Sequence, residues 1–418
     1  MTVGNETGVA VIGGARTPFA KVGTSLKDIP ALALGTHSVN GALEKLSLDP
    51  GAVDQLVFGV VVVDPSIPHL AREINFNSEL PSTVQSLTVT DNCISGTSAI
   101  ASIHDAIITG RSNVGIAGGV ESISNPPVLF NKHASRVFLD AAAAKLVGAR
   151  VRAFLRLRPG DFKPWSYGIE EPSTGLSMGE HTEITVKEWK VGQDEQDEIA
   201  FRSHQNAHTA TEDGRLAAEI HPLNGISSDS IIRPTTSLEA LAKLPPVFDR
   251  SEAGTITAGN SSPLTDGAAS VVLMSERRAA ELGHEPLAFI KDFINVGIDP
   301  SDGLLMGPGV AVPRLLRQNG LTLDDLDIIE MHEAFGGQVA SNLKAWEQGW
   351  KEPAIGRVDR DILNPMGSSI AIGHPFAATA ARIVLSLANE LKRRDARYGL
   401  VSICGAGATA VAMLLERR

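Results

Sequence analysis

Cysteine is nearly absent from this chain: Cys93 and Cys404 are the only two in 418 residues. Two thiols cannot staple a disulfide framework, so a packed core must carry the fold, and reduced thiols in a cytoplasmic setting are expected. Aromatic residues are also scarce at 5%, whereas glycine is plentiful at 40 residues. That balance fits tightly turned α/β packing rather than a sandwich. No window approaches 18 uninterrupted apolar residues, so a membrane span is not expected. The start "MTVGNETGVAVIGG" lacks a basic segment followed by a long apolar run, so no secretory signal is expected. Basic charge is in deficit, with 37 Lys and Arg against 48 Asp and Glu, a net charge of −11. General nucleic-acid binding is therefore excluded.

One stretch reverses that deficit. Between Lys132 and Lys163 stand eight basic residues, Lys132, Arg136, Lys145, Arg150, Arg152, Arg156, Arg158 and Lys163, opposed only by Asp140 and Asp161. Much of the stretch, "RVFLDAAAAKLVGARVRAFLRLR", has a helical, amphipathic pattern. Three readings stay open: a solvated helix face, a contact for an anionic ligand or partner, and a peripheral membrane-surface helix.

A length of 418 residues points to two or three domains. "LSLDPGAVDQLVFGVVV" near the front is echoed by "LTLDDLDIIEMHEAF" at 321–335. Each echo is followed downstream by a small-residue turn, a helix and a strand. Two similar α/β halves are expected, each bringing a loop to a shared crevice. The charged, Pro-rich segment between them reads as an inserted lid subdomain. The expected boundaries are 1–124 with 253–284 for the first half, 125–252 for the insert and 285–418 for the second half.

In "TVTDNCISGTSAIASIHDAI", the strand pattern "SLTVT" precedes Cys93, and Ile100, Ile103 and Ile107 recur afterwards at helical spacing. Cys93 is thus expected where a strand gives way to a helix, and the positive end of the helix dipole would favour its thiolate. The competing reading is a buried structural thiol. His374 stands between Gly373 and Pro375 on a turn before a helix, so it should be presented at a surface, where it could serve a thiol as a base. Cys404 ends the strand "LVSIC", and His332 follows the apolar "DIIEM". Two other patterns carry less. "GAGATA" at 405–410 fits a dinucleotide turn, but eight residues after it leave no room for a second crossover. The two Cys and two His lack the spacing of a structural zinc site, and no metal is expected.

Together, "GGARTPF", "NCISGTSAI", "AGGVESIS", "GNSSPLTDGAAS", "HEAFGGQVASN", "NPMGSSIAIGHPFAATA" and "SICGAGA" resemble the thiolase family of acyl-CoA enzymes over nearly the whole chain. The "HEAF" form resembles the fatty-acid-oxidation branch, the β subunits of trifunctional complexes. The resemblance implies duplicated βαβαβαββ halves in a five-layered α-β-α-β-α arrangement with an inserted loop subdomain. It implies cleavage of 3-oxoacyl-CoA by CoA through an acyl-cysteine. Cys93 would be the nucleophile, His374 its base, and Cys404 the acid and base at the acetyl α-carbon. His332 with His374 would form one oxyanion hole, and the N–H groups of Cys93 and Ala406 the other. Ser262 would meet the pantetheine, Met178 would line the tunnel, and Arg233 would meet the nucleotide end.

Coenzyme A is then a substrate, with no tightly bound cofactor. The implied partners are a second copy in a homodimer or homotetramer and a hydratase/dehydrogenase α subunit, with membrane contact through 132–163. The acetoacetyl-CoA-forming direction and an inactive acyl-CoA-binding role remain as alternatives. A decarboxylating synthase would carry a histidine where Cys404 stands. Ala406, Ala408, Ala410, Ser368, Ala377 and Ala380 depart from the family's glycines, and a left-handed backbone at any of them would be strained.

Overall fold

The computed structural model describes residues 8–163 and 170–418. They fall into two compact units, one of residues 62–68 and 126–163 and one containing the rest. The larger unit opens with β1 (Val9–Arg16), β2 (Ala20–Lys21), α1 (Ala31–Leu46), β3 (Gln55–Gly59), α2 (Leu70–Asn77), β4 (Gln85–Val89), α3 (Ser95–Ile108) and β5 (Val114–Glu121). The smaller unit holds α4 (Lys132–Ala143) and α5 (Val147–Phe154). The larger unit resumes with α6 (Met178–Glu188), α7 (Gln193–Glu212), α8 (Arg215–Glu219), α9 (Leu238–Leu241), β6 (Thr265–Ser275), α10 (Glu276–Leu282) and β7 (Ala288–Gly297). It closes with α11 (Pro308–Gln318), β8 (Ile328–Met331), α12 (Gly336–Gln348), α13 (Ser369–Ile372), α14 (Phe376–Arg394), β9 (Tyr398–Gly405) and β10 (Thr409–Glu416).

The strand order is β4-β3-β5-β6-β1-β7-β10-β9-β8, with the short β2 on β6. This order contains the duplication. Reading outward from the centre, β1-β6-β5-β3 is matched by β7-β10-β9-β8, and the first two pairings of each series are antiparallel and the third parallel. The two series meet edge to edge where Val9, Ala10 and Val11 pair with Ile290, Phe289 and Ala288. The copies differ at one strand. β4 pairs in parallel with β3, whereas its counterpart has shrunk to a single bridge between Leu363 and Ile329. Asn364 adopts φ +48° and Pro365 follows it, a backbone that cannot extend the ladder.

Five layers result in this unit. Helices α1 and α2 cover one face of the first strand series; α11 covers one face of the second, with α12 packed on α11 and sharing an apolar core with β8 and β9. Between the two series lie α3 and α14, packed on each other and on strands of both. The predicted stripe Ile100, Ile103 and Ile107 is buried there with Ile383, Val384 and Leu387 of α14. Strands with both faces covered need continuous apolar or small residues, and all eleven residues of β6, "TDGAASVVLMS", are buried. The approach of α14 is set by two glycines. A Cβ on Gly119 would lie 2.1 Å from the carbonyl oxygen of Ala377, and one on Gly96 would lie 2.7 Å from the nitrogen of Ala381. Small residues therefore seat the start of α14 directly against β5 and α3.

Candidate active site

Cys93 occupies a 3₁₀ turn, Asn92–Ile94, that runs into α3. The turn is closed by Ser95, whose Oγ accepts from the Asp91 N–H at 2.8 Å and donates to the Asn92 carbonyl at 2.7 Å. Asn92 itself is left-handed, with φ +48°, a conformation asparagine tolerates better than most residues. The Cys93 sulfur is half-buried and receives the backbone N–H groups of Ala406 and of Cys93 itself.

His374 comes from the other copy. Gly373, at φ +113°, turns the chain before α14, and the His374 N–H donates to Thr265 Oγ1 at 3.0 Å. Its Nε2 lies 3.2 Å from the Cys93 sulfur, and its Nδ1 hydrogen-bonds Thr379 Oγ1 at 2.7 Å. His332 follows β8, with its ring centroid 4.2 Å from that of His374. The His332 Nδ1 hydrogen-bonds Ser369 Oγ at 2.7 Å, while its buried Nε2 has no partner among the described residues. Donor atoms of Cys93, His332 and His374 all lie within 4.8 Å of one another, close enough to share one cation or one substrate oxygen.

Two expectations are corrected here. His374 is buried, not presented at a surface, because Gly119 and Gly96 let α14 sink between the layers. The thiolate expected from the helix dipole is also overturned. Burial pushes the Cys93 thiol up to about 12, the Ala406 N–H pulls it back only in part, and the charge of Glu121 adds to the rise. A helix terminus stabilises an anion by roughly 0.3–1 kcal/mol, less than the cost of desolvating one. Burial likewise drives His374 down to about 3, reinforced by the charge of Arg382. Both shifts favour the uncharged forms, a thiol beside a neutral imidazole.

The other predicted residues are distributed around this centre. Cys404 is buried in β9 with Ile256, Leu305, Ala334 and Phe335, and Met178 packs on the same cluster. Burial raises its thiol well above the ordinary range, and a thiolate at Cys93 raises it further. It is absent from the Cys93–His332–His374 donor set. Ser262 donates its N–H to the Ala334 carbonyl at 3.0 Å, in a loop bridged to Phe335 and His374. Arg233 is exposed, and its side chain has no ion pair among the described residues.

Of the residues departing from the family's glycines, Ala408 alone among the described ones has the strained backbone, at φ +57°. Ser368 has found a use, since its Oγ accepts from Arg382 Nη2 at 3.2 Å.

Sequence reasoning did not single out the supports. Glu333 and Asn364 lie inside the quoted motifs and bond to each other at 2.7 Å, fixing the backbone after β8. The fully buried Arg382 reaches Ser369 at 3.4 Å and has Glu330 at 4.0 Å. Burial lifts the Glu330 carboxyl to about 8, even beside that guanidinium. Thr379 and Ser369 gave no signal because their partners are distant or on another turn of the chain.

The comparisons agree with this geometry. Residues 9–277 match the model of the thiolase N-terminal domain, and residues 284–417 match that of the thiolase C-terminal domain. A 3-ketoacyl-CoA thiolase of Colwellia psychrerythraea is 41% identical over 429 residues, covering 100% of this chain and 98% of the relative. One from Aeromonas salmonicida is 42% identical over 421 residues, covering 98% and 96%. The crystal structure of the Bacillus anthracis acetyl-CoA acetyltransferase has a TM-score of 0.86 at 32% identity, covering 98% of each chain. Human mitochondrial 3-ketoacyl-CoA thiolase in complex with CoA gives 0.84 at 28% identity, covering 99% of this chain and 98% of that one. On its sequence, its duplicated fold and the Cys–His pair at its centre, the chain belongs to the thiolase family.

Proposed function

We propose that this enzyme cleaves 3-oxoacyl-CoA with CoA, giving acetyl-CoA and a shortened acyl-CoA. The observation that carries the reading is the 3.2 Å contact between Cys93 Sγ and His374 Nε2, with two backbone N–H groups on the same sulfur. His374 takes the thiol proton as Cys93 attacks the 3-keto carbon, because neither partner ionises readily alone. His332 and His374 stabilise one substrate oxygen, and the N–H groups of Cys93 and Ala406 the other. The C2–C3 bond then breaks, and Cys404 protonates the departing acetyl-CoA enolate. His374 returns the first proton to the Cys404 thiolate. It then takes the thiol proton of incoming CoA as the CoA sulfur displaces the acyl group, and passes it to the released Cys93 sulfur. The apolar walls around Cys404 support its role, since they keep the thiol neutral and ready to donate. Ser262 holds the pantetheine, Met178 lines the tunnel and Arg233 meets the nucleotide end. Mixing the protein with acetoacetyl-CoA and CoA and following loss of the enolate absorbance tests the reading. Silence across short, medium and long 3-oxoacyl chains would overturn it.

The insert boundaries 125–252, a homodimer or homotetramer and the trifunctional β-subunit branch belong to the same proposal. Contact of the smaller unit with an anionic membrane is also part of it. There Leu139, Leu146, Val147 and Leu155 are 64%, 73%, 78% and 78% exposed. Lys145, Arg150, Arg152 and Arg158 stand among them without ion pairs among the described residues. Apolar side chains flanked by unpaired cations suit a lipid surface bearing negative charge. Vesicles containing phosphatidylserine should retain the protein, and exchanging those four basic residues for Gln should release it. Equal retention by neutral vesicles would discard the electrostatic part of the proposal.

A further inference from the structure

The hairpin turn between β9 and β10 carries an oxyanion donor on a strained backbone. Gly407 and Ala408 are both left-handed, at φ +80° and +57°. The second is not glycine, and an L-residue in that region costs about 1–2 kcal/mol. The turn would relax by rotating one of its peptide planes; the Ala406 N–H sits on the peptide joining Gly405 to Ala406, so a rotation of the next plane displaces it through the Ala406 Cα that the two planes share.

The peptide joining Ala406 to Gly407 is held at both poles. Asn92 Nδ2 donates to the Ala406 carbonyl at 2.9 Å, and the Gly407 N–H donates to Glu171 Oε2 at 2.8 Å. Asn92 belongs to the nucleophile's own turn. Glu171 belongs to a separate loop that is built to hold it. Its N–H bonds the Leu176 carbonyl at 2.8 Å, and its carbonyl accepts from Gly175 at 2.8 Å. Thr174 of that loop is tied to His181 at 2.7 Å, and the loop ends in the Ser177–Glu180 capping box of α6.

We infer that Glu171 is a positioning residue for acyl transfer: its carboxylate locks the Ala406–Gly407 peptide so that the Ala406 N–H stays aimed at the reacting centre. The inference rests on the proposed thiolase chemistry, because it gives the locked N–H an oxyanion to stabilise. A charged acceptor on one pole and a side-chain amide on the other oppose a peptide flip from both ends. Glu171 does not reach the substrate in this scheme and acts through the backbone of Gly407.

The test compares Glu171→Ala and Glu171→Gln with the parent enzyme. In single-turnover acetylation of Cys93 by acetyl-CoA, Glu171→Ala should be slower by about tenfold, a fraction of what deleting a whole oxyanion donor costs. Its KM should stay within about twofold, because the contact is not to substrate. Iodoacetamide needs no oxyanion hole, so alkylation of Cys93 should slow less than acetylation, by no more than the Ala406 N–H contributes to the thiolate. Hydrogen exchange at the Gly407 amide should accelerate. Glu171→Gln keeps an acceptor oxygen and should recover most of the rate and the protection. Unchanged acetylation in Glu171→Ala would overturn the inference, as would slowed acetylation with Gly407 still protected. If the parent enzyme fails to cleave any 3-oxoacyl-CoA, the functional reading falls, and the exchange measurements still decide whether Glu171 holds the turn.

Discussion

Alkylation of Cys93 across pH tests the neutral thiol–imidazole pair directly. Burial moves the thiol from an ordinary 9.0 up to about 12. Three units lower the thiolate population at pH 7 by roughly 10³. A more basic thiolate is also a better nucleophile, and a Brønsted slope near 0.4–0.5 returns roughly 15–30-fold. The net expectation is alkylation by iodoacetamide roughly 30–60-fold slower than for an unperturbed exposed thiol at pH 7. The sign of the pH dependence is fixed by the same shift. Only the thiolate reacts, so the logarithm of the rate should rise with unit slope from about pH 6 to pH 10, with no plateau. His374, driven down to about 3, stays neutral across that window and adds no inflection. Acetylation by acetyl-CoA should behave differently, since there His374 takes the proton during attack. His374→Asn should therefore abolish acetylation while leaving the alkylation slope intact. The assay is stopped-flow or mass-spectrometric alkylation in buffers matched for ionic strength. A rate plateau beginning below pH 9 would refute the reasoning, because it would reveal a thiolate–imidazolium pair already formed in the resting enzyme.

Three other outcomes follow from named contacts. Thr379→Val removes the polar partner that His374 Nδ1 has among the described residues, at nearly constant volume, so kcat should fall on the order of tenfold with little change in thermal midpoint. Gly119→Ala places a Cβ 2.1 Å from the Ala377 carbonyl and must push α14 outward. The overpacking should cost about 1–3 kcal/mol, and a displacement of His374 by about 1 Å should cost about 10² in rate, read by thermal unfolding and single-turnover acetylation. Glu330, raised from 4.5 to about 8 in the fold, binds its proton more tightly folded than unfolded. Its contribution is full below pH 4.5 and is lost as pH climbs through about 8, so Glu330→Gln should match the parent near pH 4.5 and melt higher near pH 9. An equal shift at both pH values would contradict the assignment.

The sequence by itself determined the local elements and the identity of the reactive groups. Alternation before Cys93 and the Ile100, Ile103, Ile107 period specified a strand, a turn and a helix, because each is a pattern of neighbours within a few residues. The echo of 46–62 in 321–335 was enough to expect two copies, since a duplicated chain repeats its short-range signals. The sequence did not determine how deeply the copies interpenetrate. That depth depends on Gly96 and Gly119 meeting backbone atoms of α14 more than 250 residues away. It turned His374 from an expected surface residue into a buried one, and it reversed the expected ionisation of Cys93. Desolvation is summed over every atom packed around a group, whereas a helix dipole is read from its own turn. For the same reason Thr379, Ser369 and Glu171 were silent in the sequence: a hydroxyl or carboxylate acquires its role only when the fold brings it a partner.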